Sequence, residues 1–372
     1  MAIYTRYIYL ITSVAASAGI VVSQLNPTPS SLLARTGVFQ DVLWFVLWAW
    51  LAVSVCALVT KLVHWRDYSA SSPFASPAAR KVVRVASPAV MVVAALFALD
   101  RLGIGAIDLC RAATSATSNP DGFLPSVIYM AWTSRDLFAR GVGTTIALAV
   151  FGTIIAFVLA LGMVFLRIQS CDRNDNDFVR FCKVVASGFT KFYSTVVRGT
   201  PMMVQGLILY FAGFGLLKGT GMSTTEVNAV WSTFTAGLVT VSLNSTAYIM
   251  EVLRGGIEAV DAGQAEAARS LGLSQWQAMR KVVFPQGVKN AIPALSNELI
   301  INIKDSSVLS VIGVFDLMYA TTTVAGVYYR QMEVYCVAAV VYLLLTLVAS
   351  WLLTALSRKL DVEGPGTLPS SN

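Results

Sequence analysis

The chain has 372 residues, of which 56% are hydrophobic and 13% are charged, and its formal net charge is +7. Its mean hydropathy is +0.68, whereas a soluble globular domain carries about 25% charged residues. This composition excludes an ordinary soluble protein and is typical of a chain that sits in lipid. The positive charges fall mainly between apolar runs, as in membrane loops and not as in a nucleic-acid-binding face.

Apolar runs long enough to cross a bilayer recur along the chain, since a hydrocarbon core of about 30 Å needs about 20 helical residues. The first run has a single basic residue, Arg6, near its start and another run follows closely, which indicates a retained helix and not a cleaved signal peptide. We predict an all-α polytopic membrane protein with about eight transmembrane helices, a five-helix core preceded by three extra spans. The predicted spans are residues 3–24, 42–63, 84–102, 141–166, 200–218, 229–252, 290–313 and 334–357.

Polar stretches divide the chain between these spans. The segment from Arg111 to Arg140 is polar and contains Asn119-Pro120-Asp121-Gly122, so it separates the leading spans from the later ones. The predicted parts are an N-terminal extension over 1–115, an extracytoplasmic linker over 116–140, a membrane domain over 141–360 and a flexible tail over 361–372. The third span is expected to end at Asp100-Arg101.

Lysine and arginine accumulate in alternate gaps between the spans. The gaps 61–84, 167–198 and 254–289 are basic, whereas 25–41 and the other intervening gaps hold few positive residues. Positive residues mark cytoplasmic loops. We therefore predict that the basic gaps and both chain termini lie in the cytoplasm.

Residues that build metal, redox or nucleotide sites are sparse. His64 is the only histidine, and no phosphate-binding GxxxxGK[ST] loop is present. The cysteines form no CxxC pair and no regular framework; they are Cys56, Cys110, Cys171, Cys182 and Cys336. We predict that the chain is not an enzyme and holds no cofactor or metal of its own.

The loop over 258–287 is soluble in character although it lies between two spans. Residues 262–271 are good helix formers, and Gly272 is the usual left-handed helix stop. Ser274 and Gln277 have the spacing of a capping box for a second helix, which Pro285 is expected to end. Such a loop is either a docking surface for a soluble partner or an amphipathic helix on the membrane, and physics alone leaves both open.

The spacing of residues in this loop resembles the EAA loop of ABC importer permeases, with Val and Phe where the family usually has Ile and Leu. The elements that carry the resemblance are Glu266-Ala267-Ala268, Gly272, Val282 and Phe284-Pro285. The resemblance implies a permease subunit whose loop seats in a cytoplasmic ATPase. The residues expected to couple it to that ATPase are Glu266, Ala267, Ala268, Gly272 and Pro285.

Further motifs resemble the polar amino-acid branch of these permeases, the histidine/glutamine type. They are Arg198-Gly199-Thr200-Pro201 with Gln205, Arg254-Gly255-Gly256-Ile257, Asn297-Glu298 and Lys304-Asp305-Ser306-Ser307. The resemblance covers about 140–360 and leaves 1–130 without a match. It implies import of polar amino acids through a multi-pass permease of the bacterial cytoplasmic (inner) membrane.

The resemblance also implies partners for the chain. These are cytoplasmic ATPase subunits that bind ATP and Mg, a second permease subunit (a copy or a paralogue), an extracytoplasmic amino-acid-binding protein and membrane lipid. No nucleic-acid partner is expected.

Polar residues inside spans are candidates for a substrate site, because such groups are costly in lipid. The candidates are Glu298, Asn302, Asp305, Gln205 and Asn244. The first three share one helical face at i, i+4 and i+7, where two acids and an amide could hold an ammonium group. Alternatively, Lys304 and Asp305 form a local ion pair and Glu298 satisfies backbone groups near Pro293. The amides of Gln205 and Asn244 could instead join helices.

Two other function classes are compatible with the composition: a secondary amino-acid transporter driven by an ion gradient, and a membrane scaffold without transport. A secondary transporter would need a repeat of spans and no ATPase dock. The EAA spacing favours the ATP-driven importer over both.

Overall fold

The computed structural model of the chain describes residues 2–64, 76–169, 171 and 175–359. All regular structure in these ranges is helical, which confirms the all-α prediction. The chain divides into two compact units, Met1–Tyr129 and Met130–Asn372. The predicted tail over 361–372 lies outside the described residues.

Six helices in the described ranges are long and apolar enough to cross a membrane, and counting one bent pair as a span gives seven. The bent pair joins Gln275–Ile312 to Leu317–Tyr328 at 54°. Eight spans are not confirmed, because Leu10–Ser23 is too short to count. The six are Val38–Val63, Pro77–Ser115, Arg135–Ile168, Met202–Gly219, Thr233–Glu258 and Gln331–Arg358.

Three long helices form the first unit around an apolar core. Its elements are α1 (Ala2–Ser23), the short α2 (Leu32–Arg35), α3 (Val38–Val63), α4 (Pro77–Ala98), a π-helical segment (Leu99–Ile104) and α5 (Gly105–Ser115). The core includes Ala16, Ile20, Leu43, Leu47, Val90 and Phe97.

The third predicted span does not end at Asp100-Arg101, because the helix continues through the π-helical segment to Ser115. Both charged residues are buried and hydrogen-bonded to neighbours. Asp100 accepts hydrogen bonds from Ser31 Oγ at 2.6 Å and from Leu32 N at 2.7 Å. Arg101 Nη2 donates to Gln40 Oε1 at 2.9 Å. Hydropathy alone predicts the end of a span at such a charged pair, because it does not take into account hydrogen bonds between buried residues.

The remaining helices run from α6, which crosses the unit boundary, to α16. They are α6 (Phe123–Thr133), α7 (Arg135–Ile168), α8 (Asp177–Arg198), α9 (Met202–Gly219), α10 (Thr224–Val230), α11 (Thr233–Glu258), α12 (Ala262–Ser270), α13 (Gln275–Ala278), α14 (Phe284–Asp305), α15 (Leu317–Tyr328) and α16 (Gln331–Lys359). The predicted linker over 116–140 therefore holds α6 and the first turns of α7.

The helix α11 is the centre of the second unit. In its most apolar window 67% of the residues are buried, compared with at most 33% in the other spans, so its neighbours surround it. Many of its buried side chains are small, and several hydroxyls bond within the helix: Thr240 Oγ1 donates to Ala236 O, Ser242 Oγ to Leu238 O and Thr246 Oγ1 to Ser242 O. Hydroxyls of this kind need no partner on another helix.

Candidate functional site

The EAA loop folds as a helical hairpin. Asp261 begins α12 by accepting a hydrogen bond from Gly263 N at 2.6 Å. Gly272 follows α12 with φ +87°, and Leu273 N donates back to Ala268 O at 3.3 Å. Ser274 begins α13 with a complete capping box. The structure confirms the predicted helix, left-handed glycine and capped second helix.

The second helix does not end at Pro285, contrary to the prediction. A π-helical segment, Met279–Val283, follows α13, and α14 begins at Phe284 with the proline in its first turn. Proline lacks the N–H that an α-helix interior uses, and a preceding π turn shifts the hydrogen-bond register. The hairpin therefore continues directly into the helical run Gln275–Ile312.

The hairpin presents a partly apolar surface at its tip and attaches by aromatic contacts at its base. Glu266 and Ala267 are exposed and Ala268 is buried. Leu271 is 85% exposed, which is unusual for a leucine unless a partner covers it. Trp276 packs edge-on against Phe165 of α7 with ring centroids 5.9 Å apart.

Two glycines bring the roots of the hairpin into contact. A Cβ on Gly287 of α14 would lie 2.7 Å from the Cα of Ile257, and a Cβ on Gly256 of α11 would lie 2.4 Å from the carbonyl oxygen of Gly287. Neither position has room for a side chain. The backbones of α11 and α14 therefore touch where the EAA loop leaves the bundle.

A network of charged and polar side chains links α7, α8 and α11 close to this contact. Glu251 accepts hydrogen bonds from Arg254 Nε at 2.7 Å and from Ser194 Oγ at 3.1 Å, and its carboxylate lies 3.5 Å from Arg167 Nη2. Arg254 also pairs with Glu258 at 2.6 Å. The sequence motifs pointed to Arg254, but Arg167 and Ser194 gave no signal because they are distant in sequence.

A cavity of about 670 Å³ opens beside this network. Its polar lining includes Arg167, Lys191, Arg254, Glu258 and Asp261. Apolar residues of the EAA region, among them Ala265, Met279 and Val283, close it.

The predicted substrate residue Asn302 is buried and fully engaged by neighbouring helices. Ser245 Oγ of α11 donates to Asn302 Oδ1 at 2.9 Å, and Asn302 Nδ2 donates to Thr153 Oγ1 of α7 at 2.8 Å. Its amide joins three helices. Its role as a substrate contact stays a prediction, and this geometry supports the joining role instead.

Replacing Asn302 with leucine should lower stability without changing substrate affinity. Ser245 and Thr153 would each lose a buried partner, at a cost of about 1–3 kcal/mol. Thermal unfolding of the purified protein should show a lower Tm, with the half-saturating substrate concentration unchanged. Asn297→Leu is the control, because Asn297 is exposed on the same helix. An unchanged Tm with weaker substrate binding would make Asn302 a substrate contact.

The amides of Gln205 and Asn244 bond to each other. Asn244 Nδ2 donates to Gln205 Oε1 at 3.0 Å, and Gln205 Nε2 donates to Val197 O at 2.7 Å and to Thr200 O at 3.0 Å. Gln205 thus holds the turn between α8 and α9 and links it to α11. Their role as substrate contacts stays a prediction.

The predicted acidic residues, Glu298 and Asp305, differ from the amides because neighbouring side chains do not engage their carboxylates in the described part of the chain. Glu298 is half-buried and Asp305 is exposed, and in the described part of the chain neither makes a hydrogen bond or an ion pair. No ion pair therefore joins Lys304 to Asp305 there. Arg198 and Asp305 both lie within electrostatic reach of Glu298, and the Arg198 guanidinium lies 5.5 Å from the ring centre of Tyr248. Two carboxylates and a guanidinium thus flank one surface inside the membrane domain.

Sequence reasoning missed one buried acid. Asp316 is 0% exposed and caps α15 by accepting a hydrogen bond from Tyr319 N at 2.8 Å. Its other oxygen, Oδ2, and the Tyr342 hydroxyl are buried and have no partner among the described residues. Nearby, Thr145 Oγ1 accepts a hydrogen bond from Leu317 N at 3.1 Å. The available signal was that Asp316 closely follows Gly313. Gly313 ends the preceding helical segment in a left-handed conformation, and a new helix starts after such a break.

Comparisons with known proteins match the second unit's architecture. A family model described as a binding-protein-dependent transport system inner membrane component matches residues 181–362. The glutamine transport system permease protein of Escherichia coli is 32% identical over 231 residues, which cover 62% of this chain and 96% of that protein. A protein of Rickettsia bellii described as a glutamine transport system permease is 36% identical over 214 residues, covering 58% of this chain and 86% of the relative.

The chain belongs to this family of inner-membrane permeases. A solved structure described as an amino acid ABC transporter with histidines is 37% identical, with a TM-score of 0.52, and the match covers 64% of this chain and 99% of that one. The resemblance drawn from the EAA spacing is thereby confirmed. This permease is a multi-pass membrane transport subunit.

Proposed function

We propose that this permease imports polar amino acids of the glutamine class and is driven by ATP hydrolysis in separate cytoplasmic subunits. One observation carries the proposal: the second helix of the EAA hairpin and the two open carboxylates belong to a single helical run, Gln275–Ile312. About 23 residues separate Gln275 from Glu298, which is about 35 Å at 1.5 Å per residue. A movement imposed on the hairpin would therefore reach the carboxylates without an intervening loop.

The exposed face of the hairpin is the proposed ATPase dock. Glu266, Ala267 and Leu271 are exposed there, and Gly272 sets the angle of the tip. Nucleotide-driven closure of two ATPase subunits, which bind ATP and Mg, would shift the permease between its inward-open and outward-open states. The hairpin would bind the two ATPase states with different affinities, and this difference would shift the equilibrium between the inward-open and outward-open permease. Ala268 is buried behind this surface, and Pro285 is exposed in the first turn of α14.

The open surface near α14 is the proposed substrate path. Glu298 and Asp305 would hold the ammonium group of an amino acid, and Arg198 would hold its carboxylate. Because Asp305 is exposed in the single chain, a second permease subunit would complete the path. An extracytoplasmic binding protein would deliver the substrate, as the family description implies.

The arrangement in the membrane follows from these roles. The EAA side must face the cytoplasm, where ATP is available, which places both termini there if the spans alternate as the charge pattern predicts. The permease domain would occupy 141–360, and the extension over 1–115 would be an added membrane module with its own core.

Charge-neutral variants of the two acids test the substrate role. Glu298→Gln and Asp305→Asn, in proteoliposomes with the ATPase and binding protein, should each raise the half-saturating amino-acid concentration about tenfold, which corresponds to about 1.4 kcal/mol of lost binding. Lys304→Gln is the control, since this exposed residue precedes Asp305 on the same turn.

Unchanged uptake in both acid variants would remove the acids from the path. Uptake that needs no ATP and stops when the ion gradient is dissipated would instead favour a secondary transporter. Failure to retain an ATPase after purification from native membranes would count against the importer as a whole.

A further inference from the structure

The helix α8 (Asp177–Arg198) carries its apolar residues on the outside of the protein. It lies in the gap 167–198, which the charge pattern assigns to a water-exposed loop. Its phenylalanines are 58–71% exposed. With two valines they recur at helical spacing and form one stripe, here called the phenylalanine stripe. The stripe consists of Phe178, Phe181, Val185, Phe189, Phe192 and Val196.

The opposite, polar face of α8 packs against the bundle. Thr190 and Ser194 are buried at 0% and 4% exposure. Tyr193 Oη donates a hydrogen bond to Leu243 O of α11 at 2.6 Å. A helix at the surface of a water-soluble region has the reverse arrangement, with its apolar face inward. The packing of α8 therefore suits an apolar surrounding.

Contacts with α11 (Thr233–Glu258) fix the depth of α8. Ser194 bonds to Glu251, and four residues later Arg198 lies over Tyr248, so the two helices run antiparallel here. The 26 residues of α11 are about 39 Å long, and a hydrocarbon core of about 30 Å covers about 20 of them. Centred on α11, that core includes residues 248 and 251. The last turns of α8 thus lie within the membrane.

We propose that the phenylalanine stripe lies against phospholipid acyl chains in the leaflet next to the EAA loop. In this arrangement Phe189, Phe192 and Val196 contact the chains, and Phe178 and Phe181 lie at headgroup level. The stripe contains no charged residue. Arg180 lies off it, where its long side chain can reach a headgroup.

Chain continuity favours lipid over another protein as the occupant. α7 leads into α8 and α9 leaves it, and both neighbours are membrane spans with exposed apolar side chains. The stripe therefore continues a surface that lipid already covers. The inference needs the permease to be membrane-inserted, and it does not depend on which substrate the permease carries.

Site-specific photo-crosslinking tests the proposal. p-Benzoylphenylalanine, close to phenylalanine in shape, replaces Phe189 or Phe192 in the full chain, purified with its accompanying subunits in nanodiscs of phosphatidylethanolamine and phosphatidylglycerol. After irradiation, intact-mass spectrometry should show the added mass of one phospholipid. The control places the same group at Lys191, which lines the inner cavity and should give no lipid adduct.

Three results would overturn the proposal: crosslinks from both stripe positions to a second permease chain, crosslinks to an ATPase subunit, or no lipid adduct at either position. A transport-inactive protein gives the same crosslinking pattern, so failure of the proposed function remains distinguishable. As a second measurement, Phe192→Asp should reduce the amount of folded protein in the membrane several-fold, whereas Phe192→Leu should leave it unchanged. Equal amounts of both variants would contradict the lipid contact.

Discussion

Gly287→Val should abolish transport by separating the EAA hairpin from the membrane bundle. The new Cβ would meet the Cγ1 of Ile257 at 2.6 Å and its Cα at 2.7 Å. The second contact is backbone, so it cannot be relieved by a rotamer change, and α14 must move away from α11. Overpacking in a well-packed core costs about 1–3 kcal/mol, and a backbone clash is at the upper end or beyond. Thermal unfolding and ATP-dependent uptake in proteoliposomes should both show the loss.

The matched control is Gly255→Val. Gly255 neighbours Gly256 on α11, but a Cβ added there meets nothing within 4 Å. This variant should therefore keep both its Tm and its uptake. Normal uptake by Gly287→Val would mean that the contact between α11 and α14 is not needed, and equal damage in the two variants would point to a general intolerance of valine.

Gly272→Val should uncouple ATP hydrolysis from transport while leaving membrane insertion normal. Gly272 has φ +87°, where a residue with a side chain is strained by about 1–2 kcal/mol and a β-branched residue is an outlier. Nothing lies within 4 Å of a Cβ at this position, so the damage comes only from the turn. The tip bearing Leu271 would change direction. Copurification of the ATPase with the permease measures this directly.

Gly272→Asn separates conformation from bulk. Asparagine enters the left-handed region more readily than other side chains, so it should keep most of the ATPase association that valine loses. If valine and asparagine behave alike, the left-handed turn is not what the ATPase recognises. If Gly272→Val fails to insert into the membrane, the glycine has a folding role instead of a coupling role.

The EAA hairpin could be predicted from sequence because its determinants are local. Ser274 and Gln277 are three residues apart, and Gly272 follows its helix directly, so caps and spacing were sufficient. The path beyond it was not predictable in the same way. Proline normally breaks a helix, and only the π-helical segment before Pro285 shows how the chain continues.

Contacts between helices that are far apart in sequence could not be predicted from local sequence patterns. Asn302 was predicted from sequence as a substrate contact, and its joining of helices became visible only with Thr153 and Ser245 beside it. The pairing of Arg167 with Glu251 spans 84 positions. The packing of α8 could not be predicted for another reason: a net count of charges does not reveal that its polar face is turned inward.

The hydroxyl pattern of α11 has a mechanical consequence. Because Thr240, Ser242 and Thr246 bond to carbonyls of their own helix, neighbouring helices can slide along α11 without breaking those bonds. The cross-links that resist sliding are few and placed at defined levels, such as the Ser245–Asn302 bond. Hydrogen bonds between side chains therefore hold the surrounding helices to α11 at a few levels and not along its whole length, which would allow these helices to rock about it.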